Sequence, residues 1–394
     1  MKKTRTAKRI YLDYAATTPV RESVLGVMKS YWHDEFGNPG GLYKEGVMAK
    51  ESLEAARSDT ARILSARREE IIFTGSGTEA NNLAILGVAK SFLENGRAYK
   101  DMHFITGAIE HSSVMEVFHE LKRRGARVTY IGVTKDGIYL LRELEAALTP
   151  KTILVSLMHA NNEIGTVQPL SEARKILSNF RKKNPAASVF FHTDASNVPL
   201  YLPVNVDALG VHLMTLDGQK IYGPKGVGML YIKRGVKLAP ILYGGAQERG
   251  LRPGTENIPG ICGFAKALAI ASSLREKESE RLSLLRDYFI KRVLGMVPGA
   301  VLNGDFKNRL PNNINFSFPG HDNEWIVLQL DAANIAVATR SACLTEKEGG
   351  SYVIEALGRG GEYSKSSVRI TLGEETTKKE LNYVVQTLAR IMGA

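Results

Sequence analysis

The chain has 394 residues, 44% of them hydrophobic and 24% charged, with a formal charge of +11. These proportions describe a soluble globular protein, long enough for a large core and for two lobes, with a positive balance that suits anionic partners without choosing among them. Its two cysteines, Cys262 and Cys343, cannot build a disulfide framework, and no apolar run reaches the ~18 residues of a membrane span.

Basic residues crowd the first nine positions, but no apolar stretch follows them, so no signal peptide is read and a reducing cytoplasm is expected. Residues 10–14 read as a short strand, 16–19 as a turn and 36–39 as a loop, and residues 47–64 have helical spacing. A strand at 71–74, the turn Gly75-Ser-Gly-Thr78 and a helix over 79–90 come next. Strand candidates recur at 102–106, 127–131, 153–159, 189–193, 209–216 and 227–232, mostly with helical segments between them. That rhythm predicts an α/β fold around a mostly parallel sheet covered on both faces. From residue 258 the composition changes: a small-residue helix over 260–270, then a long charged helix with Leu282, Leu285, Phe289 and Val293 on its core face. Strands at 314–318, 335–339 and 368–372 follow, and Thr377 to Glu380 reads as a capping box for a last helix. The division expected is a large domain over 15–262 and a smaller α+β domain from 1–14 and 263–394.

The candidate chemistry lies where these strands end. Gly75-Ser-Gly-Thr78, between a strand and a helix, offers backbone N–H groups and a hydroxyl to a phosphate, although such turns are common. Glu110-His111, the run 161–165, and His192 to Asn197 each follow a further strand, on the side where α/β sheets bind ligands. Lys220 sits just past a turn after the next one, where apolar surroundings favour Schiff-base chemistry. Each residue alone has a plainer reading: a structural histidine, a helix-capping Asp194, a solvated lysine. Four strands ending in polar residues, followed by Lys220, are harder to assign to capping. His159, His192 and Asp194 lack standard ligand spacing, so no metal is expected.

Taken together, the motifs resemble the cysteine desulfurases of the class V aminotransferase group. They run through nearly the whole chain: Tyr11-Leu-Asp-Tyr-Ala-Ala-Thr-Thr-Pro19, Phe36-Gly-Asn-Pro39, Gly77-Thr-Glu79, Glu110-His111, Met158-His-Ala-Asn-Asn-Glu-Ile-Gly165, Lys220-Ile-Tyr-Gly-Pro-Lys-Gly226, Glu248-Arg-Gly250, Gly254-Thr255, Ser341-Ala-Cys343 and Ser367-Val-Arg369. The resemblance implies the aminotransferase-like fold (type I of the pyridoxal-phosphate enzymes) with a seven-stranded sheet, a homodimer, pyridoxal 5'-phosphate as cofactor and L-cysteine as substrate. It implies that Lys220 forms the Schiff base and shuttles protons, that His111 stacks on the cofactor ring, and that Asp194 pairs with the ring nitrogen. Asn162 would contact the cofactor oxygen and the substrate, with Asn197 beside it. Gly77, Thr78 and Gln219 would hold the phosphate, joined by Thr255 from the partner subunit. Arg369 would clamp the substrate carboxylate. Cys343, in a polar glycine-containing loop, would take the sulfur as a persulfide and pass it to an acceptor protein; Cys262, in a small-residue helix, reads as buried and inert. Direct nucleic-acid binding is not expected.

The chain departs from this family at four places. It has Asp217-Gly-Gln-Lys220 where Ser-Gly-His-Lys is usual, and Asn197 where a glutamine is usual. A carboxylate beside a phosphate costs about 4 kcal/mol for unit charges at 4 Å and an effective dielectric near 20, which predicts an Asp217 turned away or paired with a base. Arg340, directly before Ser341, is unusual too and would favour a thiolate at Cys343. Many relatives carry a further tail that docks the iron–sulfur scaffold, whereas this sequence stops at Ala394, so a tRNA-thiolation route or another acceptor stands beside iron–sulfur assembly as the expected destination. The alternatives are a selenocysteine lyase or aminotransferase of the same fold, and a cofactor-poor sulfur carrier.

Overall fold

The computed structural model describes residues 9–339 and 350–393, so Cys343 and Arg340 lie outside the described residues. The described chain enters through β1 (Ile10–Tyr11), α1 (Glu22–Lys29) and α2 (Lys44–Leu64). It then alternates through β2 (Ile71–Thr74), α3 (Gly77–Glu94), β3 (His103–Gly107), α4 (Ser112–Arg123), β4 (Arg127–Ile131), α5 (Leu141–Ala147) and β5 (Thr152–Ser156). The alternation continues with α6 (Leu170–Lys183), β6 (Phe190–Asp194), α7 (Val206–Leu209), β7 (Leu213–Asp217) and β8 (Gly228–Ile232).

These seven strands, β2 to β8, form one sheet in the order β2-β8-β7-β6-β5-β3-β4. The run from β7 to β4 is parallel, and only β8 is reversed against both of its neighbours. Side-chain alternation divides the core between the two faces. Ile72, Phe104, Leu154, Leu213 and Leu230 pack with Leu83 and Val88 of α3 and Phe118 of α4. Ile71, Ile105, Val155, Met214 and Met229 belong to the opposite cluster, with Leu53 of α2 and Leu177 of α6. Burial on both faces is why the strands read as continuous apolar runs.

The rest of the chain forms α8 (Ile258–Met296), β9 (Val301–Leu302), β10 (Asn313–Ser317), α9 (Asn323–Ala332), β11 (Ile335–Ala336), α10 (Tyr352–Ala356), α11 (Gly361–Ser364), β12 (Ser367–Thr371) and α12 (Lys378–Ile391). A three-stranded antiparallel sheet orders these strands β12-β10-β9, and β1 pairs in parallel with β11, tying the N-terminal segment to the C-terminal part. Thr377 and Glu380 do form a capping box on α12. One expectation is corrected. The small-residue helix and the charged helix are a single α-helix of 39 residues, because neither Gly nor Pro interrupts it between Gly263 and Gly295. It runs unbroken through position 262, where the two lobes were divided. No helix among the described residues is long and apolar enough to cross a membrane.

Candidate active site

The carboxyl ends of β2, β3, β5, β6 and β7 meet at one edge of the sheet, around a cavity of about 240 Å³. Gly77, Thr78, His111, Asn162, Asp194, Asn197, Gln219, Lys220 and Arg369 all line it. Gly77 to Lys220 converge because strands that run the same way deliver their ends to one place, whereas Arg369 reaches the cavity from β12 of the three-stranded sheet. Thr255 is exposed and lies off this cavity.

Lys220 closes the short 3-10 turn Gly218–Lys220 after β7. Its Nζ donates to the carbonyls of Ala15 and Ala16 at 2.7 and 2.6 Å. The Gln219 carbonyl in turn accepts the N–H and hydroxyl of Thr18 at 2.9 and 2.8 Å, so the N-terminal segment is strapped across the turn. Asp194 ends β6 with both carboxylate oxygens engaged: Oδ1 accepts the Ser196 N–H at 2.9 Å and Oδ2 accepts the Asn81 side-chain amide at 2.8 Å. His111 is the N-cap of α4, where its Nδ1 accepts the Ser113 N–H at 3.2 Å and meets the Ser113 hydroxyl at 2.8 Å. Burial lowers the pKa of His111 against the opposing pull of the Asp194 charge, which favours the neutral ring.

Arg369, on β12, is almost completely buried, at 1% exposure. Its Nη2 donates to Asp13 Oδ1 at 2.8 Å and its Nη1 to the Asn162 carbonyl at 3.3 Å, while Nε has no partner among the described residues. A buried guanidinium with a spare donor is equipped to receive one more anionic oxygen. Behind His111, the fully buried Glu110 accepts the Tyr139 hydroxyl and, at 2.7 Å, the Met158 N–H. Burial, opposed by those two donors and reinforced by the Asp194 charge, pushes its carboxyl up to about 8. Cys262 is buried, and burial raises its thiol pKa, in keeping with an inert thiol.

The other end of the cavity is the N-terminus of α3. Ser76 caps it, accepting the Glu79 N–H at 3.1 Å, and Thr78 is exposed there. A Cβ on Gly77 would come within 3.1 Å of Asp217 Cβ and 3.2 Å of both Asp217 Oδ2 and Ser196 Oγ, so glycine is what leaves room for a close backbone approach. The expectation that Asp217 turns away or pairs with a base is corrected. Asp217 faces the cavity, and its partners are the backbone N–H and side-chain amide of Gln219, each at 3.2 Å. The cause is local: the carboxylate is the N-cap of the 3-10 turn that presents Lys220.

Pyridoxal phosphate fits this donor set. An amine, a carboxylate, an imidazole and an amide surround one end, a glycine cradle at a helix N-terminus forms the other, and Arg369 keeps an orphaned donor. Sequence reasoning missed Asn81, Ser113, Asp13 and the two alanine carbonyls. Asn81 had a signal, since it follows Gly77 by four residues and shares its helix face; the pairing of Asp13 with Arg369, 356 positions away, had none. No cluster of His, Cys, Asp or Glu among the described residues is placed to hold a metal.

A mostly parallel sheet with a lysine, a carboxylate and a histidine at its strand ends, facing a glycine cradle, defines a pyridoxal-phosphate enzyme of aminotransferase-like fold. The family model for aminotransferase class-V matches residues 10–384. A cysteine desulfurase IscS of Dictyoglomus turgidum is 44% identical over 385 residues, covering 98% of this chain and 95% of that protein. Among solved structures, a NifS-like protein superimposes with a TM-score of 0.89 at 32% identity, over 98% of this chain and 100% of its own. SspA in complex with cysteine gives a TM-score of 0.78 at 32% identity, over 93% and 99%. The chain belongs to the aminotransferase class-V family, and within it to the pyridoxal-phosphate-dependent cysteine desulfurases.

Proposed function

We propose that the enzyme takes sulfur from L-cysteine, releases L-alanine, and holds the sulfur as a persulfide on Cys343 for an acceptor protein. The observation that carries this reading is the meeting of Lys220, Asp194, His111, Asn162 and Arg369 at one cavity. Pyridoxal phosphate, when bound, supplies an electron-poor ring that accepts the electron pair released at the substrate carbon. Lys220 is the residue that would hold the cofactor, and its Nζ is the group that would move protons at the substrate carbon. The two backbone carbonyls it donates to are acceptors only, so they orient the amine without competing for its chemistry. Asp194 would pair its carboxylate with the ring nitrogen of the bound cofactor, His111 would stack on the ring, and Asn162 and Asn197 would meet its ring oxygen, since all four line the same cavity. Arg369 binds the substrate carboxylate while Asp13 holds the guanidinium plane. Cys343 Sγ forms an S–S bond to the substrate sulfur as the substrate C–S bond breaks, and a proton added to the carbon completes alanine.

The working unit is a homodimer. Leu42 is 98% exposed, and Trp32, Phe36 and Tyr43 of the same stretch of chain are exposed too. Asn38 to Gly40 share a hollow of about 590 Å³ with Gln247 to Arg249 and Glu256, next to Thr255. An apolar face beside the loop that carries Thr255 suits a second copy, to whose phosphate Thr255 is delivered. The two lobes, 15–262 and 1–14 with 263–394, share α8 as their spine. A reducing, cytoplasmic setting keeps the Cys343 thiol available, and the acceptor serves iron–sulfur assembly or tRNA thiolation.

The test is to load the enzyme with pyridoxal phosphate and measure alanine and, under a thiol reductant, sulfide from L-cysteine. Both should form in equal amounts, and Cys343→Ala should stop both. Alanine production undiminished in Cys343→Ala, or amino-group transfer to a 2-oxo acid, would overturn the reading.

A further inference from the structure

Asn81 is the polar residue that joins the two sides of the ring end, and its placement has a cost that packing does not explain. It lies in the second turn of α3 at 1% exposure. Both hydrogens of its amide are used, one on Asp194 Oδ2 at 2.8 Å and one on Ser113 Oγ at 2.9 Å. Its carbonyl oxygen is buried with no partner among the described residues. An apolar side chain of similar size would avoid that unpaired acceptor, so the residue is held for its two donors. The amide orientation is fixed as well, because a flip would set the carbonyl oxygen against the Asp194 carboxylate.

From this amide the hydrogen bonds run in one direction. Ser113 Oγ receives a hydrogen from Asn81, which leaves its own proton for His111 Nδ1 at 2.8 Å. That same nitrogen receives the Ser113 N–H at 3.2 Å. A ring nitrogen accepting from both cannot carry a proton, so the proton of neutral His111 is at Nε2. On the other branch, Asn81 and the Ser196 N–H hold the Asp194 carboxylate in one plane. Three elements, α3, α4 and β6, contribute to a chain that orders two catalytic groups from a single side-chain amide.

We propose that Asn81 is a positioning residue that sets the tautomer of His111, through Ser113, and the orientation of Asp194. The tautomer part stands on this chain's own hydrogen bonds; only the consequence for cofactor binding rests on the pyridoxal-phosphate reading above. The test uses cofactor-free protein carrying nitrogen-15 histidine, with the His111 signals assigned by Asn replacement of that residue. Long-range proton–nitrogen correlation should show His111 protonated at Nε2 in the natural protein. Asn81→Leu and Ser113→Ala should both raise the Nδ1-protonated fraction. Only Asn81→Leu should also weaken pyridoxal-phosphate binding, followed by absorbance titration, by roughly tenfold to a hundredfold, as expected for a lost hydrogen bond to a charged group. Ser113→Ala keeps the Asp194 branch, so it separates positioning from general damage, and circular dichroism checks that both variants fold. Nδ1 protonation in the natural protein, or an unchanged tautomer in Ser113→Ala, would overturn the proposal whatever the cofactor proves to be. An Asn81→Leu protein that binds pyridoxal phosphate with undiminished affinity would remove the Asp194 branch.

Discussion

At the His111 end of the cavity the polar groups hold one another: Asp194, Asn81, Ser113 and His111 form a hydrogen-bonded chain backed by the buried Glu110. At the Gly77 end the arrangement is sparse. Thr78 and Thr255 are exposed, the Asp217 carboxylate lines the proposed phosphate end, and the Gln219 amide is engaged with that carboxylate. The contrast follows from what each end does. Proton transfers demand groups fixed in place and in protonation state, so the fold itself supplies that end. Anchoring a phosphate demands donors and positive potential, which a helix N-terminus and a second copy of the chain can bring together.

The comparison breaks most visibly at the junction of the two ends. Lys220→Ala should reduce alanine formation by roughly 10⁴-fold or more, since it removes both the covalent hold and a proton carrier. A loss of less than about tenfold would show that proton handling resides elsewhere. Glu110→Gln probes the closed end without touching the cavity. The Glu110 carboxyl stays protonated in the folded state up to about 8, against 4.5 in the unfolded chain. Between those values the unfolded chain releases a proton that the folded chain keeps, so stability falls as pH rises, by about 1.4 kcal/mol per unit, and the slope ends above the folded value. Glu110→Gln lacks this slope, and its stability relative to the natural protein should climb across that window in urea unfolding. Parallel pH profiles would show that the buried carboxyl is not protonated.

Arg369→Lys addresses substrate rather than cofactor. Lysine keeps the charge facing Asp13 but loses the planar fork. L-cysteine binding, followed by the change in the cofactor absorption band, should weaken about tenfold to a hundredfold. Cysteamine, which has no carboxylate, should bind as before. Equal losses for both ligands would mean that Arg369 acts through the fold and not on the carboxylate.

How much of this was legible in the sequence depended on the kind of interaction. The strands were visible because burial on both faces makes them continuous apolar runs, and the strand-end residues His111, Asp194 and Lys220 were visible because polar groups at such positions stand out. The unity of α8 was not, since its middle, from Ser272 to Arg281, is polar and looks like a linker when only apolar spacing is followed. Asp13 with Arg369, and Lys220 with the Ala15 and Ala16 carbonyls, join segments more than 200 positions apart. Two of those three acceptors are backbone carbonyls, which carry no side-chain signature. Asp217 was misread for a related reason. Its charge was weighed against a phosphate, while its stronger local duty, capping the turn that presents Lys220, was overlooked.

That duty decides what Asp217 should do to cofactor affinity. Its carboxylate is tied at 3.2 Å to the Gln219 N–H and cannot swing away without uncapping the turn, so a phosphate bound at the proposed site would meet a neighbouring negative charge. Removing the charge while keeping a capping oxygen, as in Asp217→Ser, should tighten pyridoxal-phosphate binding by about tenfold, or ~1.4 kcal/mol. That is a third of the ~4 kcal/mol two unit charges would exchange at 4 Å, as solvent at the open end screens the pair. Pyridoxal, which has the ring and lacks the phosphate, should bind both proteins alike, and turnover at saturating cofactor should hardly change, because the ring end is untouched. Thr255→Ala should act in the opposite sense at the same phosphate, weakening it a few-fold, about one hydrogen bond's worth. If Asp217→Ser tightened pyridoxal as much as pyridoxal phosphate, the effect would come from the Lys220 turn, and the two ends of the cavity would not be separable.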